Sequence, residues 1–130
     1  MNNNDLIREI GFDFSWNTEK VWQLDEPILI IPIDTLLWHF HMPFWNSEGT
    51  DEYNLTVWDT FLNPQGEISH WHAILNANIQ YPLDVMPNKG KLLLLDGLHR
   101  LAKLYLMGNT DIHVRIIPQS RIPEIIELTS

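Results

Sequence analysis

Residues 91–117, KLLLLDGLHRLAKLYLMGNTDIHVRII, decide the fold. The four leucines Leu92 to Leu95 are too few to cross a membrane and suit a strand buried on both faces. Asp96-Gly97 then breaks the run: Asp is a good helix N-cap, and Gly lets the backbone turn tightly. Leu98, Leu101, Ala102 and Tyr105 recur at i, i+3, i+4, i+7, the spacing of one buried helix face. Gly108-Asn109 supplies a helix stop. Ile112, Val114 and Ile116 alternate with His113 and Arg115, which predicts a second strand.

The charge of this unit is oddly placed. His99, Arg100 and Lys103 lie in the first two turns of the helix, where the macrodipole already puts about half a positive charge. Cations there cost roughly 0.3–1 kcal/mol each unless something anionic answers them. Free backbone N–H groups point the same way, so the strand–turn–helix unit reads as a receiver for an anion such as a phosphate. The alternative is internal: Asp96 pairs with Arg100 at i, i+4, and the remaining charge is solvated surface.

Asp96-Gly97-Leu98-His99-Arg100-Leu101-Ala102, after an apolar strand and before a helix ending at Gly108, resembles the D-G-x-H-R-x-x-A signature of the ParB/sulfiredoxin superfamily. The specific match covers residues 91–117; a weaker one reaches back to Glu67, and residues 27–33 fit the opening strand. The resemblance implies an α+β, ParB/sulfiredoxin-like fold, a small mixed β-sheet flanked by helices. It also implies that the turn and helix start bind the phosphates of a nucleotide (ATP, ADP or CTP), with or without Mg²⁺. Activities in the superfamily include CTP binding and hydrolysis, ATP-dependent sulfinic-acid repair and phosphoryl transfer to serine. Carried over by position, Gly97, Leu98, His99, Arg100 and Lys103 would hold the nucleotide, and Asp96 and His99 are the catalytic candidates. Two departures matter. Sulfiredoxin has its reactive Cys where this chain has Leu98, and the chain has no Cys, so sulfur-nucleophile chemistry is excluded. The residues after Gly108 are also too few for the helix-turn-helix domain of DNA-partitioning ParB proteins.

Length and composition bound the rest. One domain over residues 1–130, with 45% hydrophobic residues, is expected to build a single core. No apolar run long enough for a span and no secretory signal pattern is visible, so a cytoplasmic protein is the default. The net charge of −9 argues against non-specific nucleic-acid binding and lowers a nuclease reading. Residues 1–88 hold thirteen acidic and two basic side chains, a net of −11; residues 89–130 hold four and six, a net of +2. Positive potential confined to the motif half suits a small anionic ligand.

Outward from the motif, Leu6, Ile7 and Ile10 predict a short amphipathic helix stopped by Gly11, after a frayed start. Phe12, Phe14 and Trp16 predict an extended piece. Ile28 to Ile31 predict a strand that Pro32 ends or places at an edge. Residues 38–66 form an aromatic-rich insertion, with a helix over 53–62, that either walls a pocket or makes a satellite hydrophobic cluster. Residues 67–78 predict a helix, 81–86 a strand, and 87–90 its hairpin. The tail through Ile125, Ile126 and Leu128 predicts a short helix or an added strand.

His39-x-His41 and His70-x-His72 could share a face only on strands; on a helix i and i+2 diverge, so no metal site is assigned. Proton transfer by His70 or His72 beside the motif helix suits them better. Two functions remain: a small enzyme acting on a nucleotide by phosphoryl transfer or hydrolysis, and a non-catalytic module that works through a protein partner. The six Trp favour the second.

Overall fold

The computed structural model describes residues 3–50 and 53–127. The fold is α+β. Strands β1 (Ile28–Pro32), β2 (Leu83–Asn88), β3 (Lys91–Asp96) and β4 (Asp111–Ile116) form a mixed sheet in the order β1-β4-β2-β3. The β1–β4 and β2–β3 pairs are antiparallel and β2–β4 is parallel. Among the described residues there are six α-helices: α1 (Asn3–Ile10), α2 (Thr18–Trp22), α3 (Val57–Leu62), α4 (Ile68–Asn76), α5 (Leu98–Leu106) and α6 (Ile122–Ile125). None of them is long and apolar enough to cross a membrane.

The leucine run is β3, and its period of two divides it between the faces. Leu94 joins Leu83, Val85, Ile112 and Val114 against Leu101 and Ala102 of α5 and Ile74 of α4. Leu95 points the other way and packs with Met86, Val21, Ile117 and Ile125 under α2 and α6. Leu93, fully buried, lies against Gly11, where a side chain would have to meet its methyls at 3.1 Å. Burying each such leucine stabilises by about 1.5–3 kcal/mol, so the run anchors both layers.

β3 is also an edge strand, and side chains satisfy part of its outer ladder. Leu94 N–H donates to His39 Nε2 at 2.9 Å, and Trp16 Nε1–H donates to the Leu95 carbonyl at 3.1 Å. His39 comes from a 3₁₀ turn (Leu37–His41) and donates from Nδ1 to the Leu36 carbonyl at 2.7 Å. Its tautomer follows from its partners: Nε2 must accept, so Nδ1 carries the proton.

Several boundaries differ from expectation for local reasons. β2 starts at Leu83 and runs on through Pro87 and Asn88, leaving a two-residue turn. Its pairing with β4 covers only Leu83 to Val85, so the missing Pro87 N–H costs no bond there. Lys89 and Gly90 both have positive φ, 50° and 77°, as a tight hairpin turn of primed type requires. α3 begins at Val57, not residue 53, because Thr56 and Asp59 form a capping box. α5 ends in a Schellman motif, with Gly108 N–H to Tyr105 O and Asn109 N–H to Leu104 O. Of the two forms expected for the tail the helix is present as α6, and it is followed by a single isolated bridge from Ile126 to Trp16 rather than a strand. Met1, Asn2 and Leu128 lie outside the described residues.

α2 is fixed to the sheet by charge. Arg115 on β4 pairs with the buried Asp84 on β2 at 2.7 Å and donates to the Leu24 and Val21 carbonyls at 2.6 and 3.0 Å. Burial, the larger influence, pushes the Asp84 carboxyl up, and Arg115 opposes it.

Candidate functional site

The site grows from Gly97. Its φ of +113° is in the left-handed region, and a Cβ there would come within 2.5 Å of Leu83 Cδ2. The chain can therefore pass from β3 into α5 at this point only with glycine. Gly97, not Asp96, is the N-cap, and no side chain caps the first turn. Asp96 serves elsewhere: its Oδ2 accepts from Trp22 Nε1–H at 2.7 Å and from Arg100 Nη2 at 3.0 Å. The first turn of α5 is left open on a cleft of about 370 Å³. Residues Asp96 to Arg100 form one wall; Ala73, Ala77, Asn78 and Tyr81 are on the other sides.

The cations behave differently from the simplest reading of their charge. Arg100 Nη1 donates to the carbonyls of Pro82 and Tyr81, at 2.6 and 3.2 Å, in addition to its ion pair with Asp96. Lys103 donates to the Ala77 carbonyl at 3.0 Å, beyond the C-terminus of α4, and does not line the cleft. The i, i+4 pairing of Asp96 and Arg100 is thus formed, while Arg100 still faces the cleft and keeps Nε–H and one Nη2–H outside these bonds.

His99 is built into an aromatic stack. The Trp45 indole lies 4.4 Å from the His99 ring and 4.5 Å from the His70 ring, at 11° and 7°. The two imidazoles lie side by side, with His70 Nδ1 3.2 Å from His99 Nε2. His70 Nε2 donates to the Asn46 carbonyl at 2.9 Å. Burial, with the nearby His70 charge second, lowers the His99 pKa to about 4, so the ring is neutral near neutral pH. Below the stack, Glu67 binds the Ser47 hydroxyl and, at 2.9 Å, Glu48 N–H. Glu48 in turn accepts from Ser69 N–H at 2.7 Å, and Ser69, through its side chain first and its backbone second, lowers the Glu48 pKa.

Asp96, Gly97, Leu98, His99 and Arg100 therefore meet at one cleft, and Lys103 stands apart. Of the four paired histidines only His70 reaches the motif helix; His39 is structural, His41 touches Trp58, and His72 lies on a separate groove beside Trp71. The insertion makes the satellite cluster and does not line the cleft at the start of α5. Phe40, Trp58 and Phe61 pack edge-on and stacked against each other and Tyr105, while Trp45 stacks on the His70 and His99 rings without lining the cleft. Trp22 flanks a second cleft of about 610 Å³ with Tyr81, Pro82, Asp84, Arg100 and Arg115. Tyr81 and Arg100 line both clefts. Compared with protein-family models, curated proteins and solved structures, the chain matches none.

Proposed function

We propose that the protein binds a nucleotide, or a similar phosphate-bearing ligand with a planar ring, at the start of α5 in the manner of the ParB/sulfiredoxin superfamily. The observation that carries this reading is the uncapped first turn of α5 opening on a cleft. Backbone N–H groups at such a turn are unsatisfied inside the helix and carry the positive end of its dipole. Gly97, Leu98 and His99 would supply backbone contacts and Arg100 its remaining donors, with Lys103 acting only at a distance. The ring has a place in the adjoining cleft, where the Trp22 and Tyr81 side chains are 57% and 64% exposed. Guanidinium faces of Arg100 and Arg115 also suit a planar ring. Asp96 would present Oδ1 to a Mg²⁺ brought by the phosphates; one carboxylate oxygen beside phosphates and water fits that ion. Phosphoryl transfer or hydrolysis is the chemistry such a site serves.

A thermal-shift panel tests this, with ATP, ADP, CTP, GTP, inorganic phosphate and sulfate, each with and without Mg²⁺. A ligand at about 100 times its dissociation constant adds about 2.7 kcal/mol. Ala73→Glu puts a carboxylate in the cleft without touching the Arg100 or Lys103 bonds, and should abolish the shift. Tyr81→Ala should weaken the nucleotide shift and spare that of phosphate. No shift with any anion sinks the reading.

A specific observation supports a second reading, a module that works through protein contacts. β1 is an edge strand whose Ile28, Leu29 and Ile30 are all exposed. An apolar open edge is a place for another chain to pair.

A further inference from the structure

The hydrogen bonds around His70 and His99 fix where the protons sit. The Asn46 carbonyl can only accept, so His70 Nε2 carries a proton. In the neutral ring His70 Nδ1 is then bare and must accept from His99 Nε2–H, 3.2 Å away. That leaves the lone pair of neutral His99 on Nδ1. Nδ1 has no hydrogen-bond partner among the described residues, and no buried side-chain nitrogen or oxygen lacks one, so Nδ1 is reached by solvent. His99 lines the cleft at the start of α5.

We propose that His99 and His70 form a proton relay serving this cleft: His99 Nδ1 accepts the proton of a ligand hydroxyl or bound water, and His99 Nε2 passes its own proton to His70 Nδ1. One O–H bond breaks as Nδ1–H forms, and Nε2–H breaks as the His70 Nδ1–H forms. The ligand loses one positive charge and His70 gains it. His99 is the catalytic residue and His70 a positioning residue that receives the charge.

The surroundings favour the charge on His70 over His99. His99 stands in the first turn of α5, where the dipole opposes a cation. His70 has the Asn46 carbonyl and Glu48 bound to the N–H of the preceding residue, Ser69, while the Trp45 face serves both rings alike, at 4.5 and 4.4 Å. Among the other charged groups, Glu67 is held by Ser47 and Glu48 N–H, and Asp96 and Arg100 neutralise each other.

The relay rests on the phosphate reading only for the ligand it serves, and its protons can be read without one. Long-range ¹H–¹⁵N correlation spectra of the full chain at about pH 8, above the ordinary imidazole pKa of about 6.5, should show His70 and His99 both protonated on Nε2. His39 should show the opposite tautomer in the same spectrum. On acidification the first proton should leave His70 doubly protonated and His99 switched to Nδ1–H. His99 protonated on Nδ1 at the start, or holding the first proton as its own imidazolium, overturns the relay. His70→Phe keeps a flat ring against Trp45 and removes the acceptor; an unchanged His99 tautomer and titration in that variant also overturns it. Inorganic phosphate carries a P–O–H near neutral pH and sulfate does not. If both bind, only phosphate should move the His99 Nδ1 resonance, and phosphate bound without moving it refutes the link to the cleft. If neither binds, the phosphate reading falls while the ligand-free spectra still decide the relay.

Discussion

His39 and His99 are both lowered to about 4, and in both burial is the main cause. Their partners separate them. His39 uses both nitrogens on backbone groups, and the Leu36 carbonyl opposes its shift while the Lys91 charge adds to it. His99 keeps one nitrogen for the cleft. The sign of the acid response follows. Unfolded histidine takes a proton near 6.5, and folded His39 only near 4, so between those values the unfolded chain binds more protons. Stability is full above about 6.5 and falls as the pH drops toward 4, with His39 accounting for about 3 kcal/mol. Urea midpoints measured across that window should show the loss, and His39→Gln, which does not titrate, should reduce the slope by the His39 share and leave that of His99. An equal slope in the variant would place the acid sensitivity elsewhere.

At the scale of elements, β1 differs from the other strands in being apolar and open to solvent. Ile30, 64% exposed and opposite His113, contributes little to the core. Ile30→Lys should therefore change folding stability by no more than about 0.5 kcal/mol and reduce any concentration-dependent association seen by sedimentation. Association that survives the substitution would put the contact on another surface. The elements themselves were largely readable. β3, the turn and α5 announce themselves through period, glycine and a stop, all local signals. The site was half readable: Asp96 to Arg100 are neighbours in sequence and remain neighbours at the cleft. Trp45, His70 and His99 meet only because the insertion folds back, and no local pattern encodes that path. The fate of Arg100 and Lys103 was hidden for a related reason. Sequence counts their charges but does not show that the carbonyls of Tyr81, Pro82 and Ala77 lie within reach.

At the scale of the molecule, two hydrophobic layers enclose the sheet, and Arg115 secures the smaller one by joining Asp84 to the Val21 carbonyl in α2 and the Leu24 carbonyl after it. Arg115→Leu leaves the Asp84 carboxyl buried, 3% exposed and without its ion partner. It should cost about 3–5 kcal/mol in denaturant unfolding, and adding Asp84→Leu should recover much of that. A single variant as stable as wild type would show that the pair holds nothing. The two rims of the sheet have unequal fates. His39 and Trp16 occupy backbone groups of β3, while β1 presents its outer row to solvent. A sheet that can be extended from one side only has no way to propagate. Two copies meeting β1 to β1 would close on each other and turn outward the two β3 rims, whose Leu94 N–H and Leu95 carbonyl are already taken by His39 and Trp16, so pairing through β1 should stop at a dimer rather than grow.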